Sequence, residues 1–199
     1  MHECRKCEAY DLTFRREYPP EDFLEGFSDA KVWIVGLNPA VEPRPEATAP
    51  ESTFVDLSKV HSYFRDFAIV SPRVFEGLGK QAGTAHTDLV KCASSSWPPQ
   101  GVKASDRAKI IANCENFLLN QIRKRRPSMI ICNGAEVSAA IKRALPPSAE
   151  VSPEVTCYFA LIDGSRVAIV LSGFIGRIDH YSKRRLGREI ESLLDEMGV

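Results

Sequence analysis

Six cysteines, Cys4, Cys7, Cys92, Cys114, Cys132 and Cys157, are the side chains of this sequence with the widest chemical repertoire. In a reducing compartment such residues are thiols or metal ligands rather than disulfides. Cys4 and Cys7 form a C-x-x-C pair, whereas Cys132 and Cys157 lie inside apolar runs and read as core residues. Four other side chains are candidates for chemistry at strand ends or a helix start. The Asn38 amide can hold a water without carrying charge, the Asp88 carboxylate can only accept hydrogen bonds, and Ser172 and His180 can each donate one. The plainer readings are a turn for Asn38-Pro39, a backbone cap for Asp88 and a helix-start polar contact for His180.

These groups can act together only if the chain gathers them, and the hydrophobic pattern says how it would. Lys31 to Leu37 is a short apolar run bounded by Gly36 and Pro39, which reads as a buried strand. A helix is expected around residues 54–68, and a second strand over Ala85 to Val90. Ser105 begins a helix that sets Ile110, Ile111, Cys114, Phe117, Leu118 and Ile122 on one stripe. On that stripe Cys114 is open to reading as a core residue or as a ligand. Met129 to Cys132 reads as a third strand, followed by a helix from Gly134 to Ala144. Val155 to Ile162 and Arg166 to Leu171 pair through Asp163-Gly164 as a hairpin, and a last helix runs from His180 to Met197. The proline-rich stretch 41–52 and the segment Ala93 to Val102 are expected to be long loops. Strands alternating with helices predict an α/β fold, a three-layer α/β/α sandwich around a central, mainly parallel sheet of about four strands. Ligands bind at the carboxyl ends of such strands, here Gly36 to Ala40, Asp88 to Cys92, Asn133-Gly134 and Ser172 to Gly176.

With 199 residues the chain is expected to form a single domain, residues 1–30 being a cysteine-bearing extension. No apolar run approaches the roughly 20 residues of a membrane span, and the amino end lacks the pattern of a signal peptide. A cytoplasmic, monomeric protein is expected. The 26 basic and 26 acidic residues cancel, so contact with nucleic acid needs a local patch. Arg123 to Arg126, and Lys183 to Arg185 with Arg188, are the two candidates, though a charge run is more often a solvated face.

Gly36-Leu37-Asn38-Pro39-Ala40 resembles the first motif of the uracil-DNA glycosylase superfamily, and Thr87-Asp88-Leu89-Val90-Lys91-Cys92 resembles the T-N-V-V-K-C segment of its iron-sulfur class. Arg126-Pro127-Ser128-Met129-Ile130-Ile131-Cys132-Asn133-Gly134 is similar to that class's R-P-x-x-I-I-x-x-G strand. The resemblance therefore covers nearly the whole chain. It implies that Cys4, Cys7, Cys92 and Cys114 hold a [4Fe-4S] cluster; four thiolates would also suit tetrahedral zinc, and the resemblance favours iron. It also implies DNA as partner, nucleoid association when bound, and hydrolysis of the bond between C1′ and a flipped base, with Asn38 positioning the water and Gly36, Pro39 and Asp88 around the base.

Two departures from the family pattern bear on that reading. Asp88 stands where the family has Asn, so it meets uracil O4 lone pair to lone pair and suits a base presenting N–H groups instead. After the last strand, where the family has H-P-S, this chain reads Ser172-Gly173-Phe174-Ile175-Gly176-Arg177. Ser172 or His180 would have to replace the missing donor to the departing base. Phe174 and Ile175 form a candidate wedge for the gap left by a flipped base, with Arg177 reaching phosphate; the alternative is that both are buried anchors. From another class, loss of both family residues would mark a cluster-bearing nucleic-acid-binding protein without activity. An unrelated α/β hydrolase or transferase has no G-x-S-x-G, P-loop or dinucleotide fingerprint to support it.

Overall fold

The structure, a computed structural model, describes residues 2–39, 54, 56–57, 60–152 and 154–199. At the amino end β1 (His2–Cys4) and β2 (Phe14–Arg16) pair antiparallel, with Cys4 opposite Phe14. This small sheet was not expected from sequence, because three-residue strands carry too little periodicity to register. Next come β3 (Val32–Gly36), three short helices α1 (Ser62–Arg65), α2 (Phe67–Val70) and α3 (Pro72–Glu76), then β4 (Thr84–Asp88), α4 (Ala104–Arg125) and β5 (Met129–Asn133). The chain ends with α5 (Ala135–Ala144), β6 (Cys157–Ile162), β7 (Ser165–Ser172) and α6 (His180–Met197).

Five strands form the main sheet in the order β4-β3-β5-β7-β6, the five runs read as strands from the sequence. The first four run parallel, and β6 adds antiparallel to β7. β3 and β5 are buried at every residue, as sheet covered on both faces requires. On one face Trp33, Val35, Ile130 and Cys132 meet the apolar stripe of α4 and α5. On the other, Val32, Ile34, Met129 and Ile131 meet α1 to α3 and α6. The β6–β7 hairpin turns at Asp163 and Gly164, both at positive φ (49° and 79°), the backbone that a two-residue primed turn demands.

The helix expected over 54–68 is three separate turns between residues 62 and 76. Ser71, in extended backbone, caps α3 by accepting from the Val74 N–H, and Pro72 takes its first position, so α2 cannot continue through them. Residues 40–53, with the whole of the expected proline-rich loop, lie outside the described residues. The α2–α6 packing depends on Gly187, where an added Cβ would stand 1.9 Å from the Val70 carbonyl oxygen. Gly187→Ala is accordingly expected to cost at least about 1–3 kcal/mol by overpacking. A urea midpoint equal to that of the wild type would mean that this contact does not form. No helix among the described residues is long and apolar enough to cross a membrane.

Candidate functional site

Parallel strands deliver their carboxyl ends to one edge, and here that edge collects Gly36, Asp88, Asn133 and Ser172. Gly36 is level with Asp88, and Asn133 with Ser172. Over the bare Cα of Gly36 three side chains crowd. A Cβ there would meet Asp88 Oδ1 at 2.4 Å, Tyr63 Oη at 2.8 Å and His86 Nε2 at 2.9 Å. Gly36 is thus required by the close approach of this polar group rather than by its backbone angles.

Asp88 is 2% exposed. Its Oδ1 lies 3.7 Å from His86 Nε2, and its Oδ2 is buried without a hydrogen bond among the described residues. His86 in turn sets Nδ1 2.6 Å from Glu25 Oε2, which as a carboxylate requires a proton on that nitrogen. Glu25 is fixed by backbone hydrogen bonds in both directions with His86, so the amino-terminal segment and β4 build the pair together. Tyr63 touches His86 edge-on and lies 5.9 Å from the Phe174 ring, which links α1 to the loop after β7. Sequence reasoning missed Glu25, Tyr63 and His86. The signal available was His86 itself, a titratable residue inside an otherwise buried strand.

Asn38 follows the same edge, half-buried, and its Nδ2 donates to Ser94 Oγ at 2.7 Å and to the Pro39 carbonyl at 3.1 Å. Those two bonds fix the amide orientation and leave Oδ1 as the acceptor for a water. Pro39 is buried beside it. Ser172 is differently employed than expected. Its hydroxyl faces the carbonyls of Cys132 at 2.8 Å and Gly173 at 2.7 Å, and its N–H donates to Ser138 Oγ. His180 is the exposed first residue of α6, which Asp179 caps by accepting from the Tyr181 and Ser182 N–H groups. The Ser172 hydroxyl is thus committed to backbone carbonyls, and His180 stands on the exposed start of α6.

In the loop after β7, Phe174 is 40% exposed while Ile175 is fully buried in the core beneath α6. The two-residue wedge reduces to Phe174, with Ile175 as its anchor. Arg177 is exposed and stands 5.8 Å from the Phe174 ring centre. Arg184, Arg185 and Arg188 are exposed on α6, which begins at this edge, whereas Lys183 is buried against Asp66 at 2.8 Å. The other basic run, Arg123 to Arg126, closes α4 just before β5 begins, at the opposite edge of the sheet, and Asp22 pairs there with Lys124 and Arg125.

On the α4 face, behind β4, three thiols meet. Cys7 and Cys92 each lie close enough to Cys114 for their thiols to influence one another, and all three are buried. Cys4, half-buried on β1, packs against the same core. Asn113 holds the C-x-x-C turn by donating to the Lys6 carbonyl and to Cys7 Sγ at 3.4 Å. The neighbouring Cys114 thiol and burial drive the Cys7 thiol far up from its ordinary value. At Cys114 the neighbouring Cys7 thiol favours the thiolate, but Cys92 and burial outweigh it and push the group up to about 11. Buried sulfurs at this proximity cannot all ionise without a cationic centre among them, which fits a thiolate-ligated cluster as the charge that would compensate them. No three Cys, His, Asp or Glu side chains among the described residues stand in the arrangement of ligands to a single metal ion.

Lys91 connects the two regions. Its Nζ donates to Thr87 Oγ1 and Gln121 Oε1, and burial lowers it to about 8 against the opposing pull of Asp88 and Cys114. Gln121 Nε2 and Thr87 Oγ1 both donate to the Phe23 carbonyl, tying the amino-terminal segment across β4 to α4. Against known proteins, no family model matches this chain and no curated protein is detectably similar to it.

Proposed function

We propose that this chain is a monofunctional DNA glycosylase that hydrolyses the bond between C1′ and a flipped base, with a [4Fe-4S] cluster on Cys4, Cys7, Cys92 and Cys114 holding its amino-terminal segment in place. The observation that carries the reading is the buried Asp88 oxygen without a partner, at the strand edge that also presents Gly36 and Asn38. Buried polar atoms are nearly always satisfied, so an orphaned carboxylate oxygen at a ligand-binding edge is a group kept for a ligand. In this proposal Asn38 Oδ1 accepts from the water that adds to C1′. The C1′–N bond breaks through an oxocarbenium-like transition state, its electron pair leaves with the base, and the proton from the water ends on the departing base. Phe174 fills the vacated stack, and Arg177 with the exposed arginines of α6 meets phosphate.

A second reading, a nucleic-acid-binding protein of the same build without activity, draws on the committed Ser172 hydroxyl and the surface position of His180. An excision assay separates the two, using oligonucleotides that carry uracil, hypoxanthine, xanthine or mismatched cytosine. Cleavage of at least one is expected, and cleavage of none favours the binding protein. Asp88 further predicts that uracil is a poor substrate, since an acceptor facing O4 costs about 1–3 kcal/mol of uncompensated desolvation. Asp88→Asn is expected to raise activity on uracil relative to wild type. Efficient uracil excision by the wild type, unimproved in Asp88→Asn, would show that Asp88 does not face the base.

A further inference from the structure

We propose that Asn133 is the hydrogen-bond donor to the departing base, taking the role for which Ser172 and His180 are not placed; this rests on the glycosylase reading above. Asn133 ends β5 and is 2% exposed. Its Oδ1 accepts from the Ile175 N–H at 2.7 Å, which fixes the amide so that Nδ2 is the free end. Nδ2 is buried and makes no hydrogen bond among the described residues. Side chains alternate along β5, so Asn133 shares the face of Ile131 and Met129, the face on which Asp88, His86 and Tyr63 cluster over Gly36.

β3 runs between β4 and β5, and Gly36 lies one step beyond the Val35–Cys132 pair. An unsatisfied acceptor, Asp88 Oδ2, and an unsatisfied donor, Asn133 Nδ2, therefore flank the Gly36 strand end, over which the Tyr63 hydroxyl and the His86 ring also crowd. Two strand spacings separate their backbones by about 10 Å, a span that suits a heterocycle presenting N–H on one side and a ring carbonyl on the other. A 2-oxopyrimidine carrying a 4-amino group has this arrangement. As the C1′–N bond breaks, negative charge spreads onto the ring carbonyl, and a donor already fixed by the Ile175 N–H stabilises it without reorganising.

Asn133→Asp tests this, because it keeps an oxygen for Ile175 while replacing the donor with a charged acceptor; Asn133→Ala is the neutral second variant should the added carboxylate prevent folding. Thermal unfolding confirms that the variants fold. Oligonucleotides with deoxycytidine or deoxyuridine, each with and without a 5-fluoro substituent, are the probes. Both variants are expected to lose about 10²–10³ in kcat with KM little changed, the loss typical for one such donor. The loss should shrink on the 5-fluoro bases, whose departing anion needs less stabilisation. An equal loss on both kinds of base would make Asn133 merely structural, and an unchanged rate would remove it from the site. Absence of excision by the wild type itself would overturn the glycosylase reading and this inference with it.

Discussion

Cys114→Ser is expected to abolish the metal centre, with loss of the brown colour and broad visible absorption that protein purified without oxygen should show. Cys114 is the sulfur in contact with both Cys7 and Cys92, so its removal breaks the ligand set at its middle. The stability effect should be large. The amino-terminal segment is bound to the rest through the hydrogen bonds of Asn113 to the C-x-x-C turn and those of Gln121 and Thr87 to Phe23. Metal centres that couple to folding contribute on the order of 10–16 kcal/mol, as structural zinc sites do, far above any single side-chain contact. Iron and sulfide analysis with circular dichroism melts of wild type and variant would measure both consequences. Cys132→Ser, in a thiol that burial on β5 raises and that is not among the four proposed ligands, should leave the metal content unchanged. Full metal content in Cys114→Ser would dissolve the four-cysteine proposal; a colourless wild type holding one zinc would keep the site and change its occupant.

Asn38→Ala should reduce the excision rate by about 10²–10⁴ while leaving DNA affinity nearly intact, the range for loss of a positioned acid–base group. The structural ground is the amide's fixed orientation. With Nδ2 spent on Ser94 and the Pro39 carbonyl, Oδ1 is the end left to accept from a water. Single-turnover rates and binding isotherms on the same oligonucleotide measure the two quantities separately. If the variant cleaves as fast as wild type, Asn38-Pro39 is only a turn. Asn38→Asp offers a sharper comparison, since it keeps an acceptor in place but loses the bonds that orient it, and it should fall between wild type and alanine.

The three remaining tests address different parts of the molecule. Gly187→Ala reads packing of the α6 face, Asp88→Asn reads base preference, and Asn133→Asp reads charge on the departing base. The Gly187 outcome is independent of the other two because Gly187 sits against Val70 in the core, away from the strand edge that holds Asp88 and Asn133, whereas those two would share one base and should couple.

The amino-acid sequence by itself determined the alternation of buried strands and amphipathic helices, and with it the parallel sheet and its ligand-binding edge. Those signals are local. β3, β5 and β7 are short apolar runs, and α4 and α6 carry apolar stripes at helical spacing, so the hydrophobic effect writes each element where it stands. Asp163-Gly164 was legible for the same reason, because two consecutive positive φ angles select those residue types. What only the tertiary structure decided is which polar groups end up without partners and which are already committed. Ser172 read as a free donor until the Cys132 and Gly173 carbonyls were seen to face its hydroxyl, and Ile175 read as half of a wedge until the core under α6 was seen to bury it. Glu25, Tyr63 and His86 come from three separate stretches of chain, and nothing local in any of them announces that they meet over Gly36. Hydrogen-bond satisfaction depends on neighbours distant in sequence, so the chemistry of Asp88 and Asn133 was fixed only when β3 came to lie between β4 and β5.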